Sequence, residues 1–138
     1  MNHFHLSLPC HDTKLTKDYY LNVLGASTGR QQDHWIDIDL YGSQITFNQS
    51  GKFNLSYKYY RFERSVLPSF HFGLILKNEV WNRLYQKLLN HKSLVISETT
   101  YLKNKIGEHQ SFFVRDPNDY YVEFKCFTDI QEIFRSKN

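Results

Sequence analysis

The sequence predicts an α+β fold in which one βαβββ unit occurs twice along the chain. Each half contains segments in which apolar and polar residues alternate, as they do in half-buried strands. Each half also contains one stretch whose apolar residues follow the spacing of an α-helix. The halves can be aligned: His5 matches His71 at an offset of 66 positions, and the final strands of the halves match at an offset of 77. This weak repeat indicates a duplicated unit.

In the first half, the alternating segment 4–8 predicts a strand that ends at Pro9. A helix follows, with its N-cap at Asp12-Thr13 and its end at Gly25. The apolar stripe of this helix comprises Leu15, Tyr19, Tyr20, Val23 and Leu24. Two more strands are predicted at 34–41 and 43–49, joined by a turn at Gly42.

The second half repeats this order, beginning with a strand at 70–76. Asn78 is expected to cap the second helix. The apolar stripe of that helix comprises Val80, Trp81, Leu84, Leu88 and Leu89. Three further strands are predicted at 94–96, 111–115 and 120–127, and the Asp-Pro-Asn-Asp turn at 116–119 joins the last two.

These elements divide the 138 residues of an expected single domain into four parts. The first module covers about 1–50, the second about 69–128, and a C-terminal tail covers 129–138. The segment between the modules, 51–68, is rich in tyrosine and basic residues. We interpret it as a solvated linker or as a lid over a pocket.

Composition excludes several classes of protein. An aromatic content of 17% excludes a disordered chain, and a net charge of +3 from scattered lysines and arginines gives no nucleic-acid footprint. Cys10 and Cys126 are too few for a disulfide scaffold and are expected to be buried thiols in a reducing compartment. No apolar run could cross a membrane and no signal peptide is visible, so a cytoplasmic location is expected.

Three strands place a potential metal ligand on the face opposite their apolar residues, namely His5, His71 and Glu123. Each residue alone is most simply a core or surface side chain. Together, two imidazoles and one carboxylate leave open positions on a divalent ion, as in non-haem Fe(II) oxygenases. The three faces therefore predict a metal site.

Five segments resemble the vicinal oxygen chelate superfamily, which includes glyoxalase I, extradiol dioxygenases, fosfomycin-resistance transferases and bleomycin-binding proteins. They are HFHLSLPC, YYLNVLG, HWIDIDLYGSQ, PSFHFGLIL and GEHQSFFVRDPNDYYVEFKCF. The resemblance spans about residues 3–128 and is greatest to small dioxygenases of the extradiol type. It implies two βαβββ modules that form a U-shaped open mixed β-barrel with the helices outside. The ligand positions of the family correspond here to His5, His71 and Glu123.

The resemblance also implies a function. It favours a metal-dependent dioxygenase of the extradiol type that uses Fe(II) and O2 on a small, catechol-like, oxygen-chelating substrate. Mn(II), Zn(II) and Ni(II) are the alternative ions, and a homodimer is the expected assembly, with no nucleic-acid or membrane partner. Two other functions stay open: a glyoxalase-like isomerase or thiol transferase on the same metal site, and a non-catalytic protein that sequesters a small ligand or drug.

The internal alignment makes Thr46 the counterpart of Glu123. Glyoxalase I-like enzymes are expected to have a fourth ligand there, usually Glu, which a threonine replaces poorly. Three ligands therefore favour the dioxygenase or transferase branch, although a shifted register would let Gln44 serve instead. The expected substrate-pocket residues are Gln44, Thr46, Asn48 and Phe113.

Ring cleavage also requires an acid or base beside the metal. The resemblance to larger extradiol enzymes implies a His and a Tyr for this role, but no His lies just before His71, and Phe113 stands where a Tyr would be expected. Tyr121, on the same strand face as Glu123, is the best substitute. His109 and His34 are the next candidates.

Overall fold

A computed structural model describes residues 1–136, so the last two residues of the predicted tail lie outside the described part of the chain. Within that part there are two α-helices, a short 3-10 helix and ten strands. In chain order they are β1 (His5–Cys10), α1 (Thr13–Asn22), β2 (Ser27–Gln32), β3 (Trp35–Leu40), β4 (Ser43–Gln49), β5 (Tyr59–Phe62), β6 (Ser65–Pro68), β7 (Phe72–Ile75), α2 (Asn78–Leu88), β8 (Leu94–Tyr101), β9 (His109–Arg115), β10 (Tyr121–Phe127) and the 3-10 helix Ile130–Glu132.

The strands form two four-stranded sheets of the same topology, ordered β1-β4-β3-β2 and β7-β10-β9-β8, and β5 pairs with β6. In each four-stranded sheet the first strand runs parallel to its neighbour, and the other pairs are antiparallel. Ser7 lies opposite Thr46 in one sheet and Gly73 lies opposite Glu123 in the other. Those registers reproduce the offsets of 66 and 77 positions found in the sequence. The predicted α+β class with two βαβββ units is confirmed.

The chain divides into two compact units. The first unit contains Met1–Leu55 together with Asp116–Asp119, and the second contains Ser56–Arg115 together with the chain from Tyr120 onward. The first unit is thus discontinuous, because the turn that joins β9 to β10 belongs to it.

That turn is held by buried hydrogen bonds within the first unit. Asn118 accepts a bond from the His11 backbone N–H at 2.8 Å and donates one to the Thr16 hydroxyl at 3.2 Å. The Tyr20 hydroxyl donates to Asp116 at 2.8 Å. Except for the half-buried His11, these residues are buried. The turn is therefore an integral part of the core of the first unit.

Each unit has its own apolar core. In the second unit, Trp81 on α2 donates to the carbonyl of Phe124 on β10 at 2.8 Å, which fixes the helix on the sheet, and Trp81 also stacks on Tyr85 of the same helix. Cys10 and Cys126 are buried free thiols, as predicted. No helix in the described part of the chain has the length and apolar character needed to cross a membrane.

Strand β1 differs from the prediction at both ends. It continues through Pro9 to Cys10, because β1 is an edge strand in its sheet and an edge strand tolerates proline, which has no N–H to donate. It begins only at His5, so Phe4, the first residue of the predicted strand, lies outside it and is 60% exposed.

The helices also differ in detail. Asp12 caps α1 as predicted, its carboxylate accepting from the Leu15 N–H at 2.8 Å. The side chain of Leu15 is nevertheless exposed, since the buried face of α1 passes through Thr16 and Tyr20. For α2 the prediction of the cap is wrong: Lys77 is the N-cap residue and makes no side-chain cap bond. Likewise Leu89 lies beyond the end of α2 and is exposed.

Three strands were not predicted. Every residue of β2 is exposed, so its sequence STGRQQ has no apolar alternation. Strands β5 and β6 form a hairpin within the segment 51–68. The Tyr101 hydroxyl bonds to Ser65 at 2.8 Å and the Leu102 N–H bonds to Glu63 at 2.7 Å, so the hairpin is tied to the end of β8.

Candidate metal site

Two of the predicted ligands, His71 and Glu123, meet in the second unit. Glu123 lies in the middle of β10, and His71 immediately precedes the neighbouring strand β7. The imidazole Nε2 of His71 is 3.1 Å from Oε2 of Glu123. Because Glu123 is only 6% exposed, this is a nearly buried carboxylate with an imidazole at hydrogen-bond distance.

The imidazole of His71 is oriented from its other side. Its Nδ1 lies 2.8 Å from the carbonyl oxygen of Pro68, which can only accept, so Nδ1 carries a proton and donates it. In the neutral ring, the lone pair is then on Nε2, the atom that faces Glu123. The Phe113 ring and the imidazole pack in a T-shaped arrangement, with centroids 5.2 Å apart. Contacts of this kind fix the tautomer and orientation of metal-binding histidines.

Glu123 has partners for both carboxylate oxygens. The Ser111 hydroxyl donates to Oε1 at 2.8 Å, while Oε2 faces His71. Burial alone would raise the pKa of Glu123, but the hydrogen bond with His71, the charge of Lys125 and the Ser111 hydroxyl lower it below its ordinary value. Glu123 is therefore an anion at neutral pH despite its burial.

The hydrogen bond with Glu123 in turn raises the pKa of His71 above its ordinary value, although burial opposes this. A divalent ion binds the neutral imidazole, so metal binding at this pair would displace the proton from Nε2.

A cavity lies beside this pair, where β7 and β10 approach each other closely. A Cβ atom at Gly73 would lie 1.7 Å from the carbonyl oxygen of Glu123, so only glycine allows this spacing. The cavity has a volume of about 260 Å³ and is lined by His71, residues 72–75, Glu123 and Lys125. Lys125 places Nζ 3.9 Å from Oε2 of Glu123.

The pair fits a metal ion in both chemistry and spacing. Imidazole nitrogen and carboxylate oxygen bind first-row divalent ions at about 2.0–2.2 Å, so two such atoms at a right angle are about 3 Å apart. The observed separation of 3.1 Å matches this value. Imidazole and carboxylate are also the donors of the facial Fe(II) site.

The third predicted ligand, His5, lies in the first unit. It is exposed at the start of β1, where it pairs with Gln44 of β4. Within residues 1–136, no group of three or more His, Cys, Asp or Glu side chains comes together as a metal-binding cluster. The structure thus assembles His71 and Glu123, and the contribution of His5 stays a prediction.

The candidate proton donors occupy three different environments. Tyr121 is half-buried on the Glu123 face of β10, with its hydroxyl 3.2 Å from that of Tyr59. His109 is stacked on Phe127, four residues from the register partner of Glu123, which is about 13 Å along β9. His34 is exposed in the first unit. The structure therefore brings Tyr121, but not His109, to the neighbourhood of Glu123.

The predicted pocket residues of the first unit surround a carboxylate that the sequence did not single out. Asp37 on β3 is only 2% exposed and accepts bonds from Thr46 at 2.7 Å, Gln44 at 3.2 Å and Arg30 at 2.9 Å. Asn48 instead donates to the Ser7 hydroxyl. The signal for Asp37 was its place on the polar face of β3, but alternation does not show that this face is buried.

Comparison with known proteins supports the fold. No protein-family model and no curated protein matches the sequence. Among solved structures, a glyoxalase/bleomycin resistance protein/dioxygenase from Alicyclobacillus acidocaldarius is 24% identical, with 96% of both chains covered and a TM-score of 0.80. The fosfomycin resistance protein FosX from Listeria monocytogenes is 13% identical, with 96% of this chain and 95% of that chain covered and a TM-score of 0.66.

A third similar structure is the oxidase ChaP-H2, which is 12% identical, with 91% of this chain and 93% of that chain covered and a TM-score of 0.59. The match runs over nearly the full length of each of these chains. At such identities, the likeness establishes a shared fold. The two βαβββ modules implied by the resemblance in sequence are confirmed.

Proposed function

We propose that this chain is a divalent-metal-dependent enzyme of the vicinal oxygen chelate superfamily, with His5, His71 and Glu123 as ligands. The observation that carries the proposal is the pair in the second unit, in which Nε2 of half-buried His71 lies 3.1 Å from Oε2 of buried Glu123. The bond from His71 to the Pro68 carbonyl supports it, because this bond presents Nε2 for coordination.

The reaction we propose is dioxygenation of a small, catechol-like, oxygen-chelating substrate, with Fe(II) as the ion. One carboxylate and neutral imidazoles form the donor set typical of Fe(II) oxygenases. Two of the similar structures are described as a glyoxalase/bleomycin resistance protein/dioxygenase and as an oxidase, and both descriptions are compatible with this choice. The ion would supply open coordination positions for substrate oxygens and for O2, and it would pass electron density from the substrate, which is the reductant, to O2.

The protein's own residues have distinct roles in this proposal. Glu123 supplies the negative charge, and Ser111 holds its second oxygen in place. Tyr121 is the proposed proton donor, since it shares the Glu123 face and its hydroxyl is already paired with that of Tyr59 at 3.2 Å. Phe113 closes the apolar side of the imidazole. Fe(II) is preferred over Mn(II), Zn(II) and Ni(II) on the donor set alone.

Metal reconstitution tests the proposal. Protein loaded anaerobically with Fe(II) or Mn(II) is expected to retain about one ion per chain after desalting. His71→Ala and Glu123→Gln should each weaken metal affinity at least ten- to a hundred-fold. His3→Ala, which removes an exposed imidazole, serves as the control. Equal metal retention by wild type and His71→Ala would refute the proposal, and O2 uptake with a panel of diols tests the reaction.

A second candidate is a glyoxalase-like isomerase or thiol transferase, and Asp37 is the observation that favours it. Asp37 is the register partner of Thr46, so a buried carboxylate lies beside the position where a fourth ligand is expected. Its oxygens already accept three bonds, which favours the three-ligand site. Asp37→Asn should leave metal affinity unchanged in the dioxygenase and weaken it in the isomerase, and turnover of hemithioacetals would establish the latter.

The remaining parts of the proposal concern the whole protein. We propose that both units form one domain, that the protein is cytoplasmic, and that it assembles as a homodimer around small-molecule sites. Sedimentation equilibrium measures the assembly directly. Binding of an aromatic ligand that a chelator does not weaken would instead favour the non-catalytic, ligand-sequestering function.

A further inference from the structure

We infer that Lys125 binds an anionic group of the substrate, so that the candidate site selects small oxygen chelators that also carry a carboxylate or a similar anion. The inference rests on the proposed function, because it concerns the site beside His71 and Glu123. It adds a class of substrate and a specificity-determining residue to that function.

The position of Lys125 is the first reason. Its Nζ is 3.9 Å from Oε2 of Glu123, whereas charge-assisted hydrogen bonds between an ammonium and a carboxylate are about 2.7–2.9 Å long. Glu123 already has His71 at one oxygen and Ser111 at the other. At this distance the ammonium group of Lys125 does not form a hydrogen bond with the carboxylate of Glu123.

The lining of the cavity is the second reason. Besides His71 and Glu123, Lys125 is the one ionisable residue that lines it, and residues 72–75 contribute Phe, Gly, Leu and Ile. An anionic group in this cavity thus has a single cationic side chain to bind. The cavity volume of about 260 Å³ is close to the lower end of the range of about 300–1,000 Å³ typical of small-molecule pockets.

Charge balance is the third reason. A divalent ion bound by one carboxylate and neutral imidazoles leaves a net charge of +1, and Lys125 adds a second positive charge close to it. Like charges at this distance in a partly buried cavity repel one another strongly. A ligand that brings one negative charge to the ion and another to Lys125 removes this repulsion, which a neutral chelator cannot do.

Paired probes test the inference on Mn(II)-loaded protein, which is stable in air. Catechol and 3,4-dihydroxybenzoate have the same diol, and only the second carries a carboxylate. In wild type, calorimetry should give about ten-fold tighter binding of 3,4-dihydroxybenzoate than of catechol, the size expected for one added charge-assisted bond. Lys125→Gln should abolish this preference and Lys125→Arg should retain it. Lys92→Gln removes an exposed lysine and should change nothing.

Mn(II) affinity provides a second measurement, because substitution of a lysine with a purely structural role would not be expected to tighten metal binding. Removing a cation beside the ion should tighten Mn(II) binding to Lys125→Gln by about three-fold, while the anionic probe binds more weakly. Normal Mn(II) binding with an unchanged preference between the probes in Lys125→Gln would overturn the inference alone. A wild type that binds no Mn(II) would overturn the proposed function, and this inference with it.

Discussion

Gly73 determines how closely the strand that follows His71 can approach Glu123. The position holds no side chain, and a Cβ there would lie 1.7 Å from a backbone oxygen of β10. Backbone atoms cannot rotate away as a side chain can, so a substitution must separate the two strands. The distance between the two candidate ligands therefore depends on a residue that has no functional group.

Gly73→Ala is accordingly expected to lower the free energy of unfolding by about 2–3 kcal/mol, as overpacking does in other proteins. The same substitution should weaken metal binding, because it displaces Glu123 from His71. Urea denaturation and metal titration measure the two effects.

Ser7→Ala is the matched control for Gly73→Ala. Ser7 occupies the equivalent register position in the first unit, is exposed and already carries a Cβ. Its substitution removes one exposed bond from Asn48 and should cost less than about 0.5 kcal/mol. Equal losses for the two variants would contradict the steric explanation.

Alternation along single strands was sufficient to place His71 and Glu123 on one face, and the structure puts them 3.1 Å apart. It was not sufficient for Asp37, which it assigned to a polar face. Asp37 itself is buried because Arg30, Gln44 and Thr46 cover its carboxylate, and these residues come from two other strands. Burial of a polar residue depends on such long-range partners, which no local pattern contains.

At the level of elements, the two helices differ in their N-caps, although the same rule predicts a capping side chain for both. Asp12 and Asn78 are both residues that favour N-caps, and both precede an apolar stripe. Asp12 makes the bond, to the N–H of Leu15, whereas the helix already includes Asn78 as its first residue. The side chain of Asn78 bonds to Asn82 instead.

This difference predicts unequal effects of two alanine substitutions. Asp12→Ala should lower the free energy of unfolding by about 1 kcal/mol, the usual cost of losing a cap. Asn78→Ala should cost no more than a few tenths of that, since no orphan N–H loses its partner. Thermal unfolding followed by circular dichroism compares the two, and a larger loss for Asn78→Ala would contradict the assigned caps.

One physical cause explains why β2, β5 and β6 were not predicted from the sequence. β2 is exposed along its whole length, so neither of its faces requires apolar side chains and its sequence need not alternate in polarity. The hairpin β5–β6 contributes Leu67 to the core, and side-chain bonds tie it to β8 and its following residue. Both depend on contacts with distant segments, whereas β3, β4 and β10 have buried apolar residues that reveal their period.

At the level of the whole molecule, the duplicated plan is interrupted where the turn Asp116–Asp119 joins the first unit. Asn118 is 1% exposed and satisfies the N–H of His11 as well as bonding to Thr16. Its removal would leave a half-buried N–H without its side-chain partner. An N–H that loses its partner away from water costs free energy, whereas the loss of a bond made by an exposed asparagine costs little because water replaces it.

Asn118→Ala is therefore expected to lower the free energy of unfolding by about 2–3 kcal/mol. Asn48→Ala, which removes an exposed asparagine with one side-chain bond, should cost less than about 0.5 kcal/mol. Chemical denaturation of both variants tests this, and a loss for Asn118→Ala as small as that for Asn48→Ala would contradict the structural role of the turn.

The same turn has a consequence for biosynthesis. Domains generally fold as units while the ribosome is still extending the chain, the N-terminal one first. Here the N-terminal unit lacks its last four residues until position 119 has been made, when all of β1–β9 has already been synthesised. Until then Thr16 and Tyr20 lack their buried hydrogen-bond partners Asn118 and Asp116. The first unit therefore cannot be completed before most of the second has left the ribosome.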